Sequence, residues 1–292
     1  MFSKPVAEII QQRYSCRTYQ DRPIEAGVQE RLIRFLDEDP GGPFGARTRF
    51  ILAAATETDR QSLNGLGTYG FIKGATGFIA GVVGAGLKNL EDYGYTMERI
   101  ILYATDLGLG TCWLGGSFTK SSFAKLISIA SHEIMPAVTA TGYASEGSQL
   151  RDAIRLRARG HWRMAWEELY FNDEFGRPIS PDEAGEYALP LEMTRWAPSA
   201  SNKQPWRIVK RENAWHFYLR RTEGYGRGSL TFSMLQLADL QRVDLGIAMC
   251  HFELTAREKG LGGTWAVADP GMEKPDDLTE YIASWVGGAQ AR

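Results

Sequence analysis

"TMERIILYATDLGLGTCW", residues 96–113, lies over "AMCHFELTAREKGLGGTW", residues 248–265. The overlay matches Met97 to Met249, Gly108-Leu109-Gly110 to Gly260-Leu261-Gly262, and Trp113 to Trp265, all at an offset of 152. Nearer the start, "RPI" at 22–24 recurs at 177–179, an offset of 155, and the same offset carries Pro43 onto Pro198. Three anchors in one order, with so small a drift, predict a duplicated chain. We place the halves at 1–160 and 161–292.

Each half is expected to be α+β. Val28, Leu32, Phe35 and Leu36 recur at helical spacing, as do Met97, Ile100, Ile101 and Ala104 in a helix that ends at Gly-Leu-Gly. The runs FILAAA (50–55), FIAGVV (78–83) and AVTATGYA (137–144) have the composition of strands. Residues 145–176, Arg-rich and aromatic, are expected to form a connecting arm outside the core.

Composition narrows the function classes. The 292 residues are 43% hydrophobic and 23% charged, as in ordinary globular proteins. A net charge of -2 gives no general attraction to nucleic acid or an anionic membrane. The longest apolar stretch, Phe78 to Leu87, holds three glycines and is too short to span a bilayer, and the first fifteen residues lack a signal peptide's apolar core. A cytoplasmic protein is the expectation. Cys16, Cys112 and Cys250 cannot all pair within the chain and are expected to be thiols. The four histidines show no metal-ligand spacing, so no metal is expected.

Two segments carry the chemistry. In "RYSCRTY", Arg13, Ser15 and Arg17 alternate just after a helix, so in an extended segment they share one face. Two guanidinium groups and a hydroxyl suit a phosphate monoester, although a solvated helix end would have the same residues. At the 155 offset these positions become Glu168, Tyr170 and Asn172. The loop "WAPSASNKQPWRIV" (196–209) presents Pro198, Ser199, Ser201 and Asn202, whereas the first half has Pro43-Phe44-Gly45-Ala46-Arg47. Each half keeps what the other lacks, which is the pattern of one composite site. The third segment, "DLGLGTCWLGGS" (106–117), lacks the lysine of a phosphate loop and the spacing of a dinucleotide fingerprint; it is either a helix stop or part of the site.

Together "RYSCRTYQDRPI", "APSASNKQPWRIV" and "LGLGTCWLGG" resemble the nitroreductase family of FMN-dependent oxidoreductases. The resemblance implies FMN as cofactor and, for this chain, two subunits fused into an intramolecular pseudo-dimer. It implies that Arg13, Ser15 and Arg17 hold the phosphate while Pro198, Ser199, Ser201 and Asn202 contact the ring and ribityl chain. The backbone at Leu109 and Gly110 would face the flavin, Arg163 (with His161 where the family usually has lysine) would supply a basic group, and Thr68 or Tyr69 would complete the pattern. The implied activity is ping-pong hydride transfer from NAD(P)H to a small acceptor such as a nitroaromatic or quinone, in a chain functional as a monomer. No side chain is singled out as catalytic; Cys112 is expected to be structural, and Glu253 lies either at the pseudo-twofold interface or on a solvated helix face. The rival readings are a flavin-binding protein without turnover and a structural pseudoenzyme that binds no flavin.

Overall fold

The structure is a computed structural model that describes residues 2–38, 41–56, 63, 65–147, 162–225 and 238–287. The first part of the chain forms α1 (Val6–Gln12), α2 (Ala26–Asp37), β1 (Thr48–Ala54), β2 (Gly77–Gly84), α3 (Asn89–Asp106), β3 (Gly110–Leu114), α4 (Lys120–Leu126), β4 (Glu133–Ile134) and β5 (Val138–Gly142). The second forms α5 (Trp166–Leu169), β6 (Tyr170–Asn172), α6 (Pro181–Ala184), α7 (Ala188–Arg195), β7 (Trp206–Arg211), β8 (Ala214–Arg220), α8 (Leu240–Glu258), β9 (Gly263–Ala266) and β10 (Thr279–Gly287).

The duplication is written in the sheets. Strands run in the order β1-β2-β5-β3 in the first sheet, with β4 beside β2, and β6-β7-β8-β10-β9 in the second. Without β6, the second order is the first one with β7, β8, β9 and β10 in place of β1, β2, β3 and β5. Each of these pairings is antiparallel, and a long helix, α3 or α8, follows the second strand in both sheets. The fold is α+β with two topologically equivalent halves. They differ in the first hairpin: residues 55–76 join β1 to β2, whereas Glu212 and Asn213 alone join β7 to β8. The boundary at 160/161 lies outside the described residues.

Both Gly-Leu-Gly segments end their helix. Gly108 (φ 83°) and Gly260 (φ 74°) take the left-handed conformation in which the next amide reaches back. Leu109 N–H donates to the Ala104 carbonyl and Leu261 N–H to that of Ala256, both at 2.9 Å. At β2, both faces are covered, which accounts for its unbroken apolar run. Ile79 and Val83 join the main core, while Phe78, Ala80 and Val82 join a second core under Phe118, Phe123 and Cys112.

The main core runs from Val6 to Trp285 through both halves, with α3 and α8 packed on each other at its centre. Their crossing is reciprocal. A Cβ on Gly94 would collide with the Val243 carbonyl, and one on Gly246 with the Glu91 carbonyl. Gly246 and Val243 stand 152 residues beyond Gly94 and Glu91, so the same pair of positions meets itself across a pseudo-twofold axis. Glu253 lies at this interface. It is buried and accepts from Tyr95 Oη (2.8 Å), Trp265 Nε1 (2.7 Å) and Arg257 Nε (2.6 Å).

One expectation fails. Within 145–176, residues 166–172 are not a connecting arm: Leu169, Tyr170 and Phe171 are buried, and β6 pairs parallel with β7. The arginines around this cluster conceal an apolar segment too short to show periodicity. The three cysteines are buried and in no disulfide, no metal-binding cluster occurs, and no helix is long and apolar enough to cross a membrane, all among the described residues.

The crossing makes a mutational prediction. Gly94→Ala and Gly246→Ala should each destabilise the fold by about 1–3 kcal/mol through overpacking, even though alanine is the better helix former by roughly 1 kcal/mol. Gly27→Ala, where nothing lies within 4 Å, serves as the control and should not destabilise. Urea midpoints decide, and an unchanged midpoint for Gly246→Ala would contradict the close crossing.

Candidate functional site

Arg13 ends α1 in extended conformation (φ -63°, ψ 130°), which turns the chain onto the edge of the first sheet. There Ser15 bridges to Thr111 of β3 in parallel, and Cys16 N–H donates to the Thr111 carbonyl at 2.8 Å. The alternation of an extended segment then aims Arg13, Ser15 and Arg17 the same way. They line a cavity of about 620 Å³ whose opposite wall is Pro198, Ser199, Ala200, Ser201 and Asn202. Arg163 and the stripe Leu240, Val243, Asp244 and Ile247 of α8, at helical spacing, complete that wall. From the first half come Tyr14, Phe71 and Trp113 through Ser117.

The 198–204 loop is held in a costly shape. Ser201 (φ 52°), Asn202 (φ 55°) and Gln204 (φ 49°) are all left-handed without being glycine. The side chains of Ser199, Asn202 and Gln204 hold that shape, within the loop and against residues 162 and 164. Ser199 Oγ accepts from Gln204 N–H (2.8 Å), Gln204 Oε1 from Met164 N–H (2.9 Å), and Asn202 Nδ2 donates to the Trp162 carbonyl (3.0 Å). Arg207, whose guanidinium burial pulls down to about 10, donates to the Gln204 carbonyl at 3.1 Å. Arg163 donates to Asn202 Oδ1 of the loop (3.5 Å) and to the Trp196 carbonyl just before it (3.1 Å). Ser201 Oγ lies 3.2 Å from the Tyr225 hydroxyl.

Beneath Arg13 a buried network joins the halves. Glu98 Oε1 lies 3.5 Å from Arg13 Nε and 3.0 Å from His251 Nε2, and its Oε2 accepts from Trp113 Nε1 at 2.7 Å. His251 Nδ1 is 2.9 Å from the Met193 carbonyl. One carboxylate of α3 thus fixes a cavity arginine, a cavity tryptophan and a helix of the other half.

A family model described as "Putative TM nitroreductase" matches residues 5–256. The chain belongs to this nitroreductase family. A Thermotoga maritima protein bearing the same family's name is 20% identical in its crystal structure, with 98% of this chain and 95% of that one covered at a TM-score of 0.59, so the two share a fold. A Clostridium novyi nitroreductase family protein is 18% identical, covering 60% of this chain and 97% of its own at a TM-score of 0.38. A Bacteroides fragilis nitroreductase crystallised with bound FMN is 19% identical, covering 50% and 91% at 0.39. No curated protein matches the sequence.

In this chain the cavity gathers Arg13, Ser15, Arg17, Arg163, Pro198, Ser199, Ser201 and Asn202, and it leaves out Leu109, Gly110, Thr68 and Tyr69. Leu109 is buried in the core, and Gly110 opens β3, where a Cβ would press on Cys16. The Gly-Leu-Gly segment is therefore the helix stop, and Leu114–Ser117, at the far end of β3, faces the cavity instead. Tyr69 is exposed on a turn (φ 48°) and Thr68 is buried; neither lines the cavity, where Phe71 does. Cys112 lies in the second core, and His161 falls outside the described residues. Asp244 escaped the sequence reading; the one signal that could have found it is its place 152 positions after Asp92.

A second cleft, of about 1170 Å³, occupies the pseudo-symmetric position, lined by Phe44–Arg47, Lys88, Asp92 and Val267. Among the described residues its lining has no counterpart of Arg13 and Arg17, although Arg47, Arg49 and Lys88 stand in it; the repeat position of Arg13 is Glu168. That residue caps α5, accepting from Ala165 N–H at 3.1 Å, and does not line the cleft. The segment at the repeat position of the arms has joined the second sheet as β6. Val267 also fills the place corresponding to Gly115.

Glu98→Ala should cost about 3–5 kcal/mol, since it strips a buried charge pair of one partner. Denaturant unfolding measures this, and a cost below about 1 kcal/mol would show that the network does not bind the halves together.

Proposed function

We propose that this protein is an FMN-dependent oxidoreductase that passes electrons from NAD(P)H to a small acceptor, a nitroaromatic or quinone, in ping-pong order. The observation that carries the reading is the meeting of Arg13, Ser15 and Arg17 with the Pro198–Asn202 loop, from opposite halves, around one cavity. The donor set fits FMN. Arg13, Arg17 and Ser15 would hold its phosphate, two planar forks and a hydroxyl being matched to phosphate oxygens. Ser199, Ser201 and Asn202 would contact the ring and ribityl chain, with Arg163 adding a positive charge. Tyr14, Phe71, Trp113, Trp196 and Tyr225 offer aromatic surface to a planar group. When bound, FMN supplies the two-electron hydride chemistry. The chain's own residues bind, orient and exclude water; none is required as a dedicated catalytic acid.

On this reading the halves, 1–160 and 161–292, act as a single-chain counterpart of a two-subunit enzyme. On the same reading the protein works in the cytoplasm as a monomer, with one cofactor per chain because the described lining of the second cleft holds no counterpart of Arg13 and Arg17.

The experiment is titration of the full chain with FMN and riboflavin, followed by steady-state NAD(P)H oxidation. FMN should bind at least about a hundredfold more tightly than riboflavin, given several charge-assisted hydrogen bonds to its phosphate, and it should saturate at one per chain. Equal affinity would remove the phosphate assignment, and two flavins per chain would remove the composite-site reading. Flavin binding with negligible oxidation would favour a binding protein without turnover.

Ser201→Ala should weaken FMN binding by about threefold to tenfold, while the unfolding midpoint stays within about 0.5 kcal/mol of wild type. An unaltered affinity would place Ser201 outside the ligand contacts.

A further inference from the structure

Asp244 stands apart in the cavity wall. It is only 3% exposed and lines the cavity. Its Oδ1 accepts the Ala200 N–H at 2.9 Å, while Oδ2, buried as well, has no hydrogen-bond partner among the described residues.

The duplication provides an internal control. Asp92, 152 residues earlier, holds the corresponding Pro43 loop with both oxygens: Oδ1 takes the Phe44 N–H at 2.8 Å and Oδ2 the Ala46 N–H at 2.7 Å. Ser201 holds Ala46's place at the 155 offset, yet it is left-handed (φ 52°) and its amide does not reach Asp244. In the half that supplies the polar loop, one carboxyl oxygen has been released from the loop and left at the cavity wall. A purely structural cap would use both oxygens, as Asp92 does.

We propose that Asp244 is a ligand-contacting residue whose Oδ2 is reserved for a hydrogen bond to the group bound in the cavity. The assignment rests on the cofactor reading above, under which that group is FMN. The direction of the bond follows from the surroundings. Burial pushes the Asp244 carboxyl well above the usual carboxylate range, outweighing the Ala200 N–H bond that pulls it down; the Asp239 carboxylate nearby adds to the rise. Asp239 is itself held by Arg221 at 2.8 Å, and Tyr225, the other titratable neighbour, has a phenol that burial keeps protonated. Arg13, Arg17 and Arg163 line the same cavity, and none pairs with Asp244. Burial thus favours the neutral carboxyl, whose Oδ2 would donate to an acceptor atom of the ligand.

The test uses the full chain. FMN binding is measured by flavin fluorescence, and infrared difference spectra are taken of the FMN-loaded minus FMN-free protein, for wild type and Asp244→Asn. In wild type a protonated-carboxyl band should shift on loading, and Asp244→Asn should lack that band. Asn can still accept from Ala200 and donate from its amide, so Asp244→Asn should bind FMN within about threefold of wild type, while Asp244→Leu should bind about tenfold or more weakly. Asp92→Asn should leave FMN affinity unchanged. FMN bound with no carboxyl band shifting, or with a carboxylate band in its place, overturns the assignment in wild-type protein alone, whether or not the variants fold. Folded Asp244→Leu with wild-type affinity overturns it too. Failure of wild type to bind FMN at all overturns the cofactor reading instead, and is recognised before any spectrum is compared.

Discussion

The crossing of α3 and α8 is the constraint on which the rest depends. At Gly94 and Gly246 the two backbones approach so closely that no side chain fits between them, and this approach sets the distance between the sheets and the walls of both clefts. The stripe of α8 that lines the cavity, Leu240 to Ile247, is the segment that meets α3 at Val243 and Gly246. Moving the helices apart would therefore deform the site directly. Packed interiors are bistable or rigid rather than continuously deformable, so this geometry is held to the precision of the core.

On that frame, polar groups are fixed by other polar groups in the same two helices. Glu98 and Glu253 each receive a tryptophan indole from the half to which they belong, Trp113 and Trp265. The two carboxylates are not at equivalent positions, however, since Glu253 stands at the place of Ile101. The same solution has been reached twice with different residues. Glu98 alone also reaches Arg13, and that difference falls on the side where the cavity has its basic arms.

The duplication was legible because the residues that mark it are forced by backbone geometry. Gly108 and Gly260 occupy left-handed helix ends that other residues adopt at a cost. The composite cavity was legible from complementary loss, and the Arg13, Ser15, Arg17 alternation translated directly into one face of an extended segment. Beyond these, the sequence misled in identifiable ways. Leu109 and Gly110 are expected at the site because glycines beside a planar ligand and glycines at a helix end look alike, whereas the cavity is lined from the other end of the segment, Trp113 to Ser117. Tyr170–Asn172 was hidden because a strand of 3 residues has no period to detect. Asp244 was hidden because a buried carboxyl in an apolar helix cannot be told from a surface one until its partners are known.

The reciprocal glycines carry a consequence for inheritance. In an assembly of two identical subunits, one gene change alters both sides of the axis together, so neither cleft can specialise without imposing the same change on its mate. Here the corresponding positions are encoded separately. Val267 could replace the counterpart of Gly115 without narrowing the cavity that Gly115 lines, and Ser201 could leave its carboxyl while Ala46 stayed bonded to Asp92. Gly94 and Gly246 have had the same liberty and have both remained glycine. Symmetry has thus been relaxed at the clefts and retained at the axis, where either backbone alone is enough to forbid a side chain.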